Sequence, residues 1–241
     1  MLVTLAKFEI KNLIRDKMTL MMLLWPLALG AIGKYLISSG VLEGQAVSVT
    51  AMILSLITGF AYGAMSGFSL LDDRDDQVFA SIQISPVSLA LYVWFKIVFA
   101  YVLAVFAGYF MLWIVGAAAM TVPETFLVAA LSALQVPIVA LLVNAFAKNK
   151  VEGFVAMKAS GFLMLLPIAG FFFLDAKEWL FAIAPGHWAA KAIQYAMLRP
   201  GIAAGMVNMN LDFYQYIIIG ALYNLVLMIV TFKIFQRRTN F

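Results

Sequence analysis

Six apolar stretches, each about as long as a lipid hydrocarbon core is thick, dominate the chain and leave few ways to fold it. They run over residues 18–37, 49–71, 92–120, 126–146, 153–174 and 216–235. One crossing of a core about 30 Å thick takes roughly 20 apolar residues. Lipid offers no partner to a free backbone N–H or C=O, so only helices or closed barrels can cross it. None of the stretches alternates polar with apolar residues as a barrel strand does. The reading is an all-α integral membrane protein of six transmembrane helices. Composition agrees: 65% of residues are hydrophobic and 12% charged, against about 45–50% and 25% in soluble domains. That apolar surplus must face lipid.

The 241 residues form one transmembrane domain, with subsidiary segments at 1–17, 72–91 and 175–213. Six crossings leave no room for a folded ATPase or sensor domain. The start, MLVTLAKFEIKNLIRDK, spreads its charges and carries no small-residue cleavage site, so it does not read as a removable signal peptide. The absence of cysteine excludes disulfides, thiolate metal sites and cysteine nucleophiles. The third stretch exceeds one crossing, so its ends tilt or lie among headgroups. Pro26, Pro137 and Pro167 lie inside spans and are expected to kink them.

Basic residues set the orientation. Lys7, Lys11, Arg15 and Lys17 precede the first span, Lys148 and Lys150 join the fourth to the fifth, and Lys233, Arg237 and Arg238 end the sixth. Residues 38–48 and 121–125 contain no lysine or arginine. Both termini are therefore expected in the cytoplasm, with the protein in the cell (inner) membrane. The net charge of +4 belongs to this topology and does not imply nucleic acid. Residues 1–17 read as an amphipathic helix in the membrane plane. Leu2, Val3, Ala6, Ile10, Leu13 and Ile14 gather opposite Lys7, Lys11 and Arg15.

Inside the second span, Ser55, Gly59, Gly63 and Gly67 recur every fourth residue and form a smooth strip for close helix packing. Lys158 lies about 8 Å into the fifth span by helical rise, and a charge at that depth is a functional candidate. With Ser160, Gln135 and Asn144 it forms a candidate translocation pathway; the alternatives are that Lys158 snorkels to the interface and that the other three simply bond to neighbouring helices. Lys34 and Lys96, near span ends, can reach the interface and carry no assignment. His187, the one histidine, shares a stripe with Lys191 and Gln194, which suits an interfacial helix. The stretch Gly30–Lys34 has too few residues between its glycines to be a phosphate loop, and Tyr35 follows where a serine or threonine should bind magnesium.

The connection DDRDDQVFASIQISPVSLALYVWFK, residues 72–96, is the most informative stretch. Asp72, Asp73, Asp75 and Asp76, around Arg74, are read as opening a short helix, where carboxylates favour the positive dipole end. Val78, Phe79 and Ile82 give that helix an apolar ridge suited to a groove in another protein, and Pro86 ends it.

This layout resembles the permeases of type-2 ABC exporters. In that family a charged turn, a short coupling helix and a Pro-Val-Ser turn separate the second and third spans, and a lysine follows. Here these are residues 72–77, 78–84, Pro86-Val87-Ser88 and Lys96. The charged turn departs from the family's basic–acidic pair followed by Gly-Thr, and Phe95 stands where a glycine often precedes the lysine. The in-plane helix and the segment AIAPGHWAAKAIQYAM, residues 182–197, agree with the family, in which short re-entrant external helices precede the last span. The resemblance implies a permease paired with a second copy or a paralogue. It implies cytoplasmic ABC ATPase subunits that hold the ATP and magnesium, this chain holding no cofactor and catalysing nothing. The cargo would be an amphipathic small molecule, lipid or peptide.

Three rivals stand beside it, the last a bare scaffold or assembly factor, which the sequence does not exclude. A secondary transporter or channel would carry paired charges near mid-membrane, and the spans hold no acid at their centres. A magnesium-dependent prenyltransferase-like enzyme would use Asp72, Asp73 and Asp76 as an Asp-Asp-x-x-Asp site, but it also needs a second facing carboxylate cluster.

Overall fold

The first helix, α1 (Leu2–Arg15), gives way to α2 (Lys17–Ser38) at Asp16, whose extended backbone breaks the helical run. The Asp16 carboxylate then caps α2 by accepting from the Thr19 N–H at 2.9 Å. In this computed structural model, residues 2–84, 87–116 and 120–239 are described, with backbone alone for residues 2–4. The chain continues through α3 (Gln45–Asp75), α4 (Val78–Gln83), α5 (Leu89–Val115), α6 (Val122–Ala133), α7 (Gln135–Phe146) and α8 (Lys150–Gly170). A 3-10 helix (Ala176–Phe181), α9 (His187–Ala203) and α10 (Phe213–Thr239) complete it. No strand occurs among the described residues. Six segments are long and apolar enough to cross a membrane: α2, α3, α5, α6 with α7, α8 and α10.

The glycine row decides how the centre packs. A Cβ on Gly63 would sit 2.8 Å from Val139 Cβ, and one on Gly67 would sit 3.3 Å from Ala140 Cα. With no side chains in the way, α3 and α7 approach closely along that row. Ser55 completes the strip: its carbonyl accepts from Ser132 Oγ at 2.8 Å. The α6–α7 span is the most enclosed of the six, whereas α2, α8 and α10 keep most of their surface outward.

Most span ends lie a few residues from the sequence reading, and two of the differences have a clear local cause. The third span stops at Val115, where Gly116 takes a left-handed conformation (φ 62°) and its N–H closes the helix on Leu112. The fourth begins earlier, at Val122, and is two helices broken at Leu134. Pro137 explains the break, because it cannot donate to the Ala133 carbonyl four residues back and its ring crowds that oxygen.

The 3-10 helix and α9 form a hairpin between the spans. Its turn reaches inward far enough for a Cβ on Gly186 to meet Leu56 at 2.8 Å and Gln135 at 3.1 Å. Asn224, which donates to the Pro185 carbonyl at 3.1 Å, lies about 17 Å along α10 from Phe213 by helical rise.

Candidate functional site

Charged side chains collect at the end of the bundle that carries both termini, and they hold helix to helix. The aspartate run does not open the short helix. Asp72, Asp73 and Asp75 form the last turn of α3 and Asp76 is its C-cap, so the carboxylates lie at the unfavourable end of that helix dipole. Cations from elsewhere compensate. Lys150 of α8 pairs with Asp72 at 2.8 Å. Arg74 donates to the Ala147 carbonyl and to Asn144 O at 3.4 Å. Asp75, Asp76 and Gln77 are exposed.

Lys96 does not reach for the interface. It is 1% exposed and paired with Asp73, with Glu9 of α1 at 3.5 Å. Tyr92 donates to the same Asp73 carboxylate at 2.8 Å, and its ring lies 5.6 Å from the ammonium. Two carboxylates thus face one buried ammonium. Burial raises the Glu9 carboxyl above its usual 4.5; Lys96 opposes this and the Asp73 charge adds to it. Glu9 went unassigned in the sequence, although it lies on the stripe of Ala6 and Leu13 that turns toward the bundle.

The short helix α4 hangs from this cluster. Phe79 packs edge-on against Tyr92, ring centroids 6.4 Å apart, and Val78 and Ile82 are also half-buried. The apolar ridge therefore faces partly into its own bundle. The side turned outward is Ala80, Ser81 and Gln83, ending in Ile84, which is 91% exposed. Pro86 lies outside the described residues.

The four pathway candidates are not brought together. Lys158 lies on the outward side of α8, whereas Ser160 is buried and donates to the Ala156 carbonyl at 2.9 Å. Gln135 donates to Ser132 O at 3.1 Å beside the α6–α7 break. Asn144 donates to Gly67 O at 2.8 Å and holds the far end of the glycine row. Each of these three satisfies a backbone carbonyl within the packed bundle.

At the opposite end, the stripe read as interfacial is buried. Lys191 and Glu178 are 0% exposed and 2.8 Å apart. Lys191 also donates to Gln194 at 2.9 Å and to the Phe173 carbonyl, while Tyr216 donates to Glu178 at 2.8 Å. His187 is fully enclosed, with no hydrogen-bond partner on either ring nitrogen. The helix is covered on both sides because α3, α6, α8 and α10 surround it.

These features define a polytopic six-span membrane protein with a charged, interlocked hairpin at its terminal end. Comparison with known families gives its kind: the model of the family described as "Fluoroquinolones export permease protein Rv2686c-like" matches residues 9–232. The chain belongs to that family of export permeases. Among curated relatives are the fluoroquinolones export permease proteins Rv2686c and MT2760 of Mycobacterium tuberculosis strains H37Rv and CDC 1551. Each is 28% identical over 197 residues, covering 79% of this chain and 71% of the relative. No solved structure matches the chain.

Proposed function

We propose that the chain is the transmembrane subunit of an ATP-driven ABC exporter in the cell (inner) membrane, with both termini cytoplasmic. It works with a second copy or a paralogous permease. Separate cytoplasmic ABC ATPase subunits supply the ATP and magnesium chemistry. The cargo is an amphipathic aromatic small molecule, the class to which the fluoroquinolones named for its relatives belong.

The observation that carries the reading is the α3–α4–α5 hairpin. Its base is tied by Asp73, Tyr92 and Lys96, and its tip offers Ile84 outward. A short helix on a rigid base transmits a push, whereas one on a loose loop would absorb it. A buried charge without a partner costs several kcal/mol, so an aspartate at an apolar docking position should break the contact.

The test is co-purification of an ABC ATPase with wild-type permease, Ile84→Asp, and the pair Asp75→Asn/Asp76→Asn. Ile84→Asp should lose the ATPase and ATP-dependent efflux. The asparagine pair should keep both, since exposed charges contribute about 0–1 kcal/mol each. Efflux from proteoliposomes driven by an ion gradient, with no ATPase present, would favour a secondary transporter and overturn the proposal.

A further inference from the structure

The hairpin of the 3-10 helix and α9 encloses His187, the chain's one histidine. A neutral imidazole carries one donor and one acceptor nitrogen. Both are enclosed here without a partner, as are Trp188 Nε1 and the Oδ1 of Asn224, which bonds to the same turn at Pro185. The walls are tight. A Cβ on Gly170 of α8 would lie 3.2 Å from His187 Nδ1, and one on Gly220 of α10 would overlap Trp188. The Trp188 ring stands edge-on to the imidazole, centroids 5.5 Å apart. Such a ring costs more to enclose than an apolar side chain filling the same space.

The groups around the ring oppose an added proton. Lys191, about one turn along α9, holds a buried ammonium 2.8 Å from Glu178 of the 3-10 helix. Glu178 also accepts from Tyr216 at 2.8 Å, so its carboxylate is already committed to a cation and a phenol. Near the turn α10 adds only phenols, Tyr216 and Tyr223, the latter donating to Ile183 O at 2.6 Å. α6 adds Glu124, which Arg199 neutralises at 2.6 Å. Residues 45–61 of α3, 135–146 of α7 and 159–170 of α8 contain no titratable side chain. Burial, then the Lys191 charge, push the imidazole down from its usual 6.5 to about 4, with Glu178 opposing.

While the hairpin is closed on the bundle the ring stays neutral, but an arrangement that lets water reach it restores a value near 6.5. The open arrangement therefore binds more protons from pH 6.5 down to about 4, and acid favours it across that window. We propose that His187 is a proton-binding site through which acid loosens the α9 hairpin from the rest of the bundle. The proton need not enter the closed hairpin, since it is captured whenever the hairpin opens. Loosening of this kind needs neither an ATPase nor a cargo. At pH 5.5 the open fraction should exceed that at pH 7.5 about tenfold, one decade for the unit below 6.5.

Because the chain has no cysteine, Ala190→Cys, at a site 1% exposed, reports opening through its rate of reaction with a maleimide. Lys177→Cys, at an exposed site, corrects for the pH dependence of the thiol itself. In purified permease in nanodiscs the ratio of the two rates should rise about tenfold from pH 7.5 to 5.5. Adding His187→Gln to both variants should flatten it. A rise of less than about threefold, or one that survives His187→Gln, overturns the proposal. A second measurement needs no variant. In wild type labelled with carbon-13 histidine and purified without a histidine tag, the imidazole signals come from His187 alone. Half-protonation should fall below about pH 6. A midpoint at or above that value would show that the closed hairpin does not exclude the proton, and would also overturn the proposal. If His187→Gln does not fold, the rise in the parent protein and this midpoint decide.

Discussion

Replacing Gly59, Gly63 and Gly67 one at a time by alanine should produce a graded loss of stability, because the space above each differs. Alanine in place of glycine favours a helix by about 1 kcal/mol. At Gly67 the new methyl would lie 3.2 Å from Val143 Cβ and 3.3 Å from Ala140 Cα, a squeeze that a small adjustment relieves. The two effects nearly cancel, and Gly67→Ala should fall within about 0.5 kcal/mol of wild type. At Gly63 the methyl would be 2.8 Å from Val139 Cβ and 3.1 Å from Val136 O. Overpacking costs about 1–3 kcal/mol, leaving a net loss of about 1 kcal/mol after the helical gain. At Gly59 it would overlap the Ser132 carbonyl oxygen and lie 3.1 Å from Gln135 Nε2. A backbone oxygen cannot rotate away, so α6 must shift and strain the Ser132–Ser55 hydrogen bond. A net loss of about 3 kcal/mol is expected. Denaturation of the purified protein in mixed micelles, followed by tryptophan fluorescence, gives the three values. Equal losses, or Gly67→Ala as the worst, would refute the packing argument.

Other substitutions test the charged ends. Lys96→Met leaves two carboxylates facing each other in a buried site and should cost about 3–5 kcal/mol in the same assay. Because the folded-state pKa of Glu9 is raised, the folded chain binds more protons from pH 4.5 upward to that value, so stability should fall as pH rises through this window. Glu9→Gln should remove that slope, which denaturation at a series of pH values would measure. Glu178→Gln and Lys191→Met should each lose about 3–5 kcal/mol, and the double variant should lose less than their sum, as a double-mutant cycle would show. Single cysteines at Ser39, Thr121 and Lys177 should react with an impermeant maleimide from outside intact cells, and those at Gln77 and Asn149 should not; the reverse pattern would invert the topology.

What the sequence revealed and what it hid follow from the range of the forces involved. Span number is a property of local hydropathy, so all six were legible from runs of apolar residues. Lys96 was misplaced because its depth along one helix was legible while its partners were not. Asp73 is 23 residues away on the neighbouring helix, and Glu9 is in a segment read for its basic face. A signal was available: a short hairpin sets the end of the second span beside the start of the third, so an acid and a lysine placed there must meet. Phe79 and Ile82 were legible as an apolar ridge, but its direction depended on Tyr92, one helix further on. The burial of His187 and Lys191 was hidden altogether, since an amphipathic stripe looks alike whether its polar side meets water or a carboxylate on another segment.

The unbroken helix α3 has a mechanical consequence. Its 31 residues contain no proline and extend about 46 Å, well beyond a hydrocarbon core of about 30 Å. Asp72 and Asp73 are tied to α8 and α5 at one extremity, and Leu56 touches the inner turn of the α9 hairpin toward the other. Such a rod acts as a lever: tilting it by about 5° around its aspartate end carries Gln45 sideways by about 4 Å, about the width of a methyl group.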